Sequence, residues 1–324
     1  MDERDKRLLG EVQRRFPLEP EPYRALAERL SLSEEEVLER LKSLKQKGIL
    51  RQISAIFNPQ ALGYKTTLVA AAIPEGRLPE ATEVINSYPG VSHNYLRNHH
   101  YNIWFTIAVP PGESLEEKVP ALLTQAGAEK YLLLPIKRVF HIAVVHDLGE
   151  NNTLEEDRPA SSEVKKDFPL PDPLTISLVR LTQDDLPRCQ RPFSALAEKA
   201  GLSEEELLEW IKKGLETGLI RRFAGLVRHT KAGVRGNIMV AWKVPEDKLE
   251  EVGKNFPREK KITHCYERKS YPHWPYNLYT MVHDSDQKKA LETVKNLASR
   301  FHLREYLPLV TLKELKKTRL KLFW

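Results

Sequence analysis

The sequence predicts an α+β fold in which one two-part plan, helices first and a strand–helix alternation second, is used twice. Three observations predict it. First, Ala25-Leu26-Ala27-Glu28 recurs as Ala195-Leu196-Ala197-Glu198, Leu32-Ser33-Glu34-Glu35-Glu36 as Leu202-Ser203-Glu204-Glu205-Glu206, and Gly48-Ile49-Leu50-Arg51 as Gly218-Leu219-Ile220-Arg221. Gly63 matches Gly233 in the same register, and so long a repeat reads as two fused protomers rather than a solenoid. Second, a strand of the form His-x-Tyr-x-Arg followed by Tyr-Asn and an apolar run occurs in each half: His93, Tyr95 and Arg97 before Tyr101-Asn102, and His264, Tyr266 and Arg268 before Tyr276-Asn277. Third, residues 147–172 between the copies are rich in Asp, Glu, Asn, Ser and Pro without apolar periodicity, as in an exposed linker.

In chain order, helices are expected at 2–14, 22–30 and 33–46, where Leu26 and Leu30, then Val37, Leu38, Leu41 and Leu44, recur at helical spacing. Ser33-x-x-Glu36 is a capping box and Gly48 stops the third helix. An extended segment follows at 49–57, and three short helices with a trailing strand read as a winged helix-turn-helix. Next come an apolar strand at 64–73, a helix at 78–87, a hairpin of 91–97 and 101–109 around Asn98-His99-His100, a helix at 114–126 and a strand at 131–145. That β-α-β-β-α-β order is the ferredoxin-like plan. The expected domains are a winged helix-turn-helix at 1–60, a ferredoxin-like domain at 61–146, the linker at 147–172, and second copies at 173–232 and 233–324.

Composition narrows the function only broadly. The 324 residues carry 51 Lys+Arg against 45 Asp+Glu, a net charge of +6 that suits an anionic ligand and many other proteins. A 41% hydrophobic content excludes a disordered chain. Cys189 and Cys265 match no zinc or redox spacing. Residues 1–15 are charged throughout and no apolar run would span a bilayer, so a cytoplasmic protein without a membrane partner is expected. The helix that would enter a DNA groove opens on Glu34, Glu35 and Glu36, and its twin on Glu204, Glu205 and Glu206. Carboxylates there repel phosphates while favouring the helix dipole, so DNA is not the expected partner, although Lys42, Lys45, Lys47, Lys212 and Lys213 lie further along.

Side chains at i, i+2 and i+4 of a strand share one face. Each half therefore presents a proton donor, a hydroxyl and an anion clamp in a row. The copies differ elsewhere: Asn94 becomes Cys265, Leu96 becomes Glu267, and the second copy inserts residues around Tyr271-Pro272-His273 before Trp274.

The layout resembles the Lrp/AsnC regulators, as a pseudo-dimer of helix-turn-helix and ferredoxin-like units. The hairpins resemble something narrower. Pro89 to Arg97 with Asn102-Ile103-Trp104-Phe105-Thr106 is similar to one subunit of the siroheme decarboxylases, and His264 to Arg268 with Trp274 to Met281 is similar to the partner subunit. The resemblance implies a lyase that removes carbon dioxide from two ring acetates of siroheme to give didecarboxysiroheme, towards the nitrite-reductase heme or protoheme. It implies no cofactor beyond the iron carried by the substrate, and a helix-turn-helix that is architectural. The alternative is a ligand-responsive transcription regulator. On the enzyme reading, His93 and His264 are general acids with Tyr95 and Tyr266 as orienting groups. Arg97 and Arg268 grip carboxylates, and Arg221, Arg222, Arg228 and Lys231 extend that rim. Trp104, Trp242, Trp274 and Tyr279 offer ring-facing surface, and Tyr276 either joins them or seats the hairpin. His99 and His100 lie at a hairpin tip, the former as a ligand contact, and His273 is either an iron ligand or a loop residue. His141, His146, His229 and His283 are expected to be structural, and the particle is a monomeric pseudo-dimer or a higher homo-oligomer.

Overall fold

The computed structural model describes residues 1–144, 155–156, 170–227 and 236–324. His146, Arg228, His229, Lys231 and Gly233, and most of the expected linker, lie outside the described residues. The first half runs α1 (Glu3–Arg14), α2 (Pro22–Leu30), α3 (Glu34–Gln46), β1 (Leu50–Phe57), β2 (Lys65–Ala72), α4 (Leu78–Ser87), β3 (Val91–Arg97), β4 (Ile103–Val109), α5 (Leu115–Ala126), β5 (Lys130–Leu134) and β6 (Ile136–Val144). A two-residue strand β7 (Glu155–Glu156) pairs with Ala143 and Val144. The second half runs α6 (Pro173–Thr182), α7 (Pro192–Ala200), α8 (Glu204–Thr217), β8 (Ile220–Val227), β9 (Gly236–Trp242), α9 (Leu249–Asn255), β10 (Ile262–Arg268), β11 (Leu278–Asp284), α10 (Gln287–Arg300) and β12 (Tyr306–Lys317). Asp172, placed in the linker by composition, is the N-cap of α6 and accepts from the Thr175 N–H at 2.9 Å.

Local chemistry sets the helix ends. Ser203 and Glu206 close a full capping box on α8. At α3 only half of it forms: Ser33 accepts from the Glu36 N–H at 3.1 Å, while the Glu36 carboxylate turns to Arg40 and Arg4. Gly48 ends that segment with φ +68°, a conformation open to glycine without steric cost.

Two expectations change in the sheets. Among the described residues, the strand after each third helix pairs with its counterpart in the other half, β1 antiparallel to β8, in place of a wing hairpin within its own half. The strand expected at 131–145 breaks at Pro135, where an N–H is missing from any ladder. On one side of the break β5 pairs with β2; on the other β6 leaves its own half and pairs with β10. The second half does the same in one strand: β12 pairs with β9 through Val310 and with β3 from Thr311 onward. The two halves thus exchange terminal strands, and the sheet runs β5-β2-β4-β3-β12-β9-β11-β10-β6-β7.

Four apolar clusters follow from this. One joins both helical units across β1 and β8, and one lies between sheet and helices in each half. The fourth is built from the sheet faces turned away from the helices, including Leu68, Ala70 and Leu132 of the first half and Met239, Ala241 and Tyr279 of the second. The His-x-Tyr-x-Arg strands border this last cluster.

Candidate active site on the paired strands

β3 lies between β4 and β12, and β10 between β11 and β6, so each candidate strand is flanked by its own hairpin mate and by a strand of the other half. The period of two sorts the side chains as expected. Asn94 is buried with its amide on Asn86 of α4 at 3.0 Å, and Cys265 is buried with its thiol towards the Gly253 carbonyl of α9. The other face carries the motif. His93 and Tyr95 rings lie 6.4 Å apart, with the Arg97 guanidinium 5.3 Å from the Tyr95 ring. The copy repeats it at 5.8 Å for His264–Tyr266 and 5.2 Å for Arg268 over Tyr266.

Each histidine sits beside a register shift, between Val91 and His93 in one half and Ile262 and His264 in the other. Such irregularities re-aim side chains. Here they bring the preceding hydroxyl to the imidazole: Ser92 Oγ is 3.0 Å from His93 Nδ1, and Thr263 Oγ1 is 2.8 Å from His264 Nδ1. The hydroxyls continue differently. Ser92 meets Thr106 Oγ1 at 3.0 Å, whereas Thr263 meets His283 Nε2 at 2.8 Å. His283, expected to be structural, is therefore part of this cluster.

Burial is the main influence on charge. It holds His93 below the ordinary histidine range, with Lys317 adding to the effect and Glu314 opposing it. Both come from β12, where Lys317 stands opposite His93 and Glu314 opposite Tyr95. In the other half the opposing positions are Ile142 and Val139. Burial pushes Tyr95 and Tyr266 up to about 12, so both are hydroxyl donors at neutral pH. It pulls Arg97 and Arg268 down to about 10.

The arginines are more deeply set than a rim clamp would be, at 4% and 7% exposure. Arg97 Nη1 donates to the Leu309 carbonyl at 2.7 Å and the Thr311 hydroxyl at 3.1 Å, and Arg268 Nη1 donates to the Leu134 carbonyl at 2.6 Å. Leu134 is the last residue of β5, and Leu309 is the next-to-last residue of β12 paired with β9, so both carbonyls lie close to the strand exchange. Among the described residues no carboxylate pairs with either guanidinium, and both Nε atoms are buried without a hydrogen-bond partner. Unpaired buried cations are costly, so each site is electrostatically incomplete without an anion.

Other expected contacts are placed differently. Trp104 and Trp274 are 1% and 3% exposed, packed 5.9 Å apart in the inter-sheet cluster with Tyr276 on Trp274 at 4.8 Å. The Trp274 indole N–H donates to the Tyr279 hydroxyl at 2.6 Å. Both tryptophans back the site rather than offer an open ring face. Trp242 belongs to the helix side, against Phe256 at 4.9 Å, because its strand position has the opposite parity from the inter-sheet residues Met239 and Ala241. His99 is half-buried against Tyr101, whose N–H it accepts at 3.0 Å, while His100 and His273 line an open cavity of about 510 Å³ with Glu129 and Lys130. His273 stacks on Tyr271 at 5.8 Å, as a loop residue would. Arg221 is exposed and donates to Asn58 Oδ1 at 3.3 Å, yet its charge acts on the Tyr266 hydroxyl. Arg222 lies in the β1–β8 ribbon, where its charge acts on Arg319.

Sequence reasoning missed Ser92, Thr263, His283, Glu314 and Lys317. Only the hydroxyl residue preceding each histidine was a visible signal.

Family models agree with this architecture. The AsnC-like ligand binding domain matches residues 61–141 and 231–316, and the siroheme decarboxylase NirDL-like HTH domain matches 5–51 and 176–221. The siroheme decarboxylase of Hydrogenobacter thermophilus is 36% identical over 322 residues, covering 98% of this chain and 94% of the relative. The siroheme decarboxylase alpha subunit of Desulfovibrio desulfuricans is 42% identical over 144 residues, 44% of this chain and 83% of that subunit, so a single half corresponds to most of a separate subunit. The crystal structure of the siroheme decarboxylase NirDL in co-complex with an iron-uroporphyrin III analogue superposes with a TM-score of 0.81 at 32% identity, covering 100% of this chain and 95% of that one. On these grounds the chain belongs to the siroheme decarboxylase family.

Proposed function

We propose that this chain converts siroheme to didecarboxysiroheme by removing two acetate carboxyl groups, with the iron entering as part of the substrate and no resident cofactor. The observation that carries the reading is the pair of buried guanidinium groups that no carboxylate of the described residues pairs, each on one face with a tyrosine and a hydroxyl-bound histidine. A macrocycle ringed by carboxylates supplies the missing anions. In each event the bond between the acetate methylene and its carboxyl breaks, and its electron pair stays on the methylene carbon in conjugation with the ring. Carbon dioxide leaves and one proton converts the methylene to methyl. His93 and His264 deliver those protons, Tyr95 and Tyr266 orient the carboxylates as donors, and Arg97 and Arg268 neutralise neighbouring carboxylates. His99, Tyr276 and Arg221 complete the edge, while Trp104 and Trp274 stiffen the wall behind it.

The helix-turn-helix is read as architecture. Glu204 accepts from the Ser194 N–H at 2.9 Å and pairs with Arg191, and Glu36 pairs with Arg4 and Arg40, so these acidic groups bind their own helical units. Anaerobic incubation of the purified chain with siroheme, followed by mass analysis, is expected to show loss of two carbon dioxide equivalents. Unchanged siroheme would overturn the reading, and a salt-sensitive shift of promoter DNA would favour the regulator.

A further inference from the structure

Among the described residues, His264 is linked through a hydroxyl to a second imidazole, whereas the hydroxyl beside His93 meets another hydroxyl. In the second half three groups form a chain: His264 Nδ1 lies 2.8 Å from Thr263 Oγ1, which lies 2.8 Å from His283 Nε2. In the first half the matching hydroxyl, Ser92, ends on Thr106, and the position equivalent to His283 is Ala108. Thr263 is buried, and a threonine hydroxyl can accept one proton while donating another. We infer that Thr263 and His283 are positioning residues forming a proton relay that feeds His264, and that this second half uses a supply the first half lacks. The inference rests on the decarboxylase reading above.

The relay balances for one decarboxylation. His264 starts neutral with its proton on Nε2, and His283 starts as imidazolium. As the carboxyl leaves, the Nε2 proton of His264 passes to the methylene carbon, the Thr263 hydroxyl proton passes to His264 Nδ1, and the His283 Nε2 proton passes to Thr263 Oγ1. The net change is one proton from His283 to carbon and one carbon dioxide released. His264 ends the cycle neutral, as it began, with its proton moved from Nε2 to Nδ1. His283 is the next-to-last residue of β11, where its backbone N–H donates to the Lys261 carbonyl and the neighbouring Asp284 pairs with Lys261 at 2.8 Å. Asn237 is its partner on β9.

The test uses the full chain with siroheme, comparing Thr263→Val, Thr263→Ser, His283→Gln and the double variant Thr263→Val/His283→Gln. Thr263→Val removes the hydroxyl at constant shape and is expected to lower kcat about tenfold or more with KM unchanged, with His283→Gln similar and the double variant no slower than either. Thr263→Ser, which keeps the hydroxyl, is expected to restore the rate. Independently of turnover, the imidazole 15N shifts of His264 are expected to report a changed tautomer balance in Thr263→Val and the native balance in Thr263→Ser. Wild-type rates in Thr263→Val and His283→Gln, or equal losses in Thr263→Val and Thr263→Ser, would overturn the relay. Siroheme left intact by the unaltered chain would instead overturn the decarboxylase reading, and the relay with it.

Discussion

Replacing Arg268 by methionine separates binding from folding at the centre of the site. Among the described residues no carboxylate pairs with this buried guanidinium, and burial pulls its pKa down to about 10. At about 1.4 kcal/mol per tenfold change in acidity, that corresponds to about 3 kcal/mol of unfavourable charge burial. Against it stands the 2.6 Å bond to the Leu134 carbonyl, a charge-assisted contact worth about 1.5–3 kcal/mol. The two nearly cancel, so Arg268→Met is expected to move the stability of the free chain by no more than about 2 kcal/mol in either direction. Replacing a buried ion by an apolar side chain of similar length is tolerated for the same reason. Substrate binding has no such cancellation. Losing a charge-assisted carboxylate contact costs about 1.5–3 kcal/mol, or about 10- to 150-fold in Kd. Urea unfolding of the free chain and an absorbance titration with siroheme measure the two quantities separately. A loss of more than about 4 kcal/mol in stability with unchanged affinity would refute the reasoning and make Arg268 a staple for the strand exchange.

Two other changes bear on the same site. Lys317→Met is expected to raise the His93 pKa towards its ordinary value near 6.5, and Glu314→Gln to lower it further, both followed by histidine NMR titration; no movement in either would remove β12 from the electrostatics of His93. Because burial keeps His93 less basic in the folded chain than in the unfolded one, the unfolded chain binds that proton first. The contribution of His93 to stability is therefore complete above about pH 6.5 and falls as pH drops below it, and Lys317→Met should flatten that fall. Trp274→Ala opens a void among Tyr101, Trp104, Tyr276 and Tyr279 and is expected to cost about 3–5 kcal/mol in urea unfolding; a loss under 1 kcal/mol would mean the insertion is not part of the core.

Much of the fold was legible because its punctuation is local. Pro22 at the first turn of α2, Pro79 at the first turn of α4 and the Tyr88-Pro89-Gly90 stop ahead of β3 place those boundaries where the sequence predicts them. The shared face of His93, Tyr95 and Arg97 was legible for a similar reason, since alternation belongs to any strand. Strand partners were not. Periodicity says which side of β6 and β12 is buried but not that they cross to the other half, and Pro135 was the only local sign of the break. Glu314 and Lys317 were therefore invisible as site residues. The hydroxyl–histidine pairs escaped because a register shift suspends the alternation on which the face was read. His283 escaped because it reaches Thr263 only through the β10–β11 register.

The strand exchange also explains how two nearly identical motifs acquire different chemistry. In a symmetric dimer one terminal strand would serve both sites, and any charge placed beside one histidine would stand beside the other. Joining the halves in one chain frees the two terminal strands to differ. β12 sets Lys317 and Glu314 against His93 and Tyr95, while β6 sets Ile142 and Val139 at the matching positions of His264 and Tyr266. The hairpin mates differ as well, with Ala108 on β4 where β11 carries His283. His93 is therefore tuned by charges reaching it across the exchange, whereas His264 is joined through the Thr263 hydroxyl to an imidazole from its own half. Two successive decarboxylations make unequal demands, since the second substrate has already lost one carboxylate. The difference between the sites lies in the strands flanking β3 and β10, not in the His-x-Tyr-x-Arg residues that β3 and β10 share.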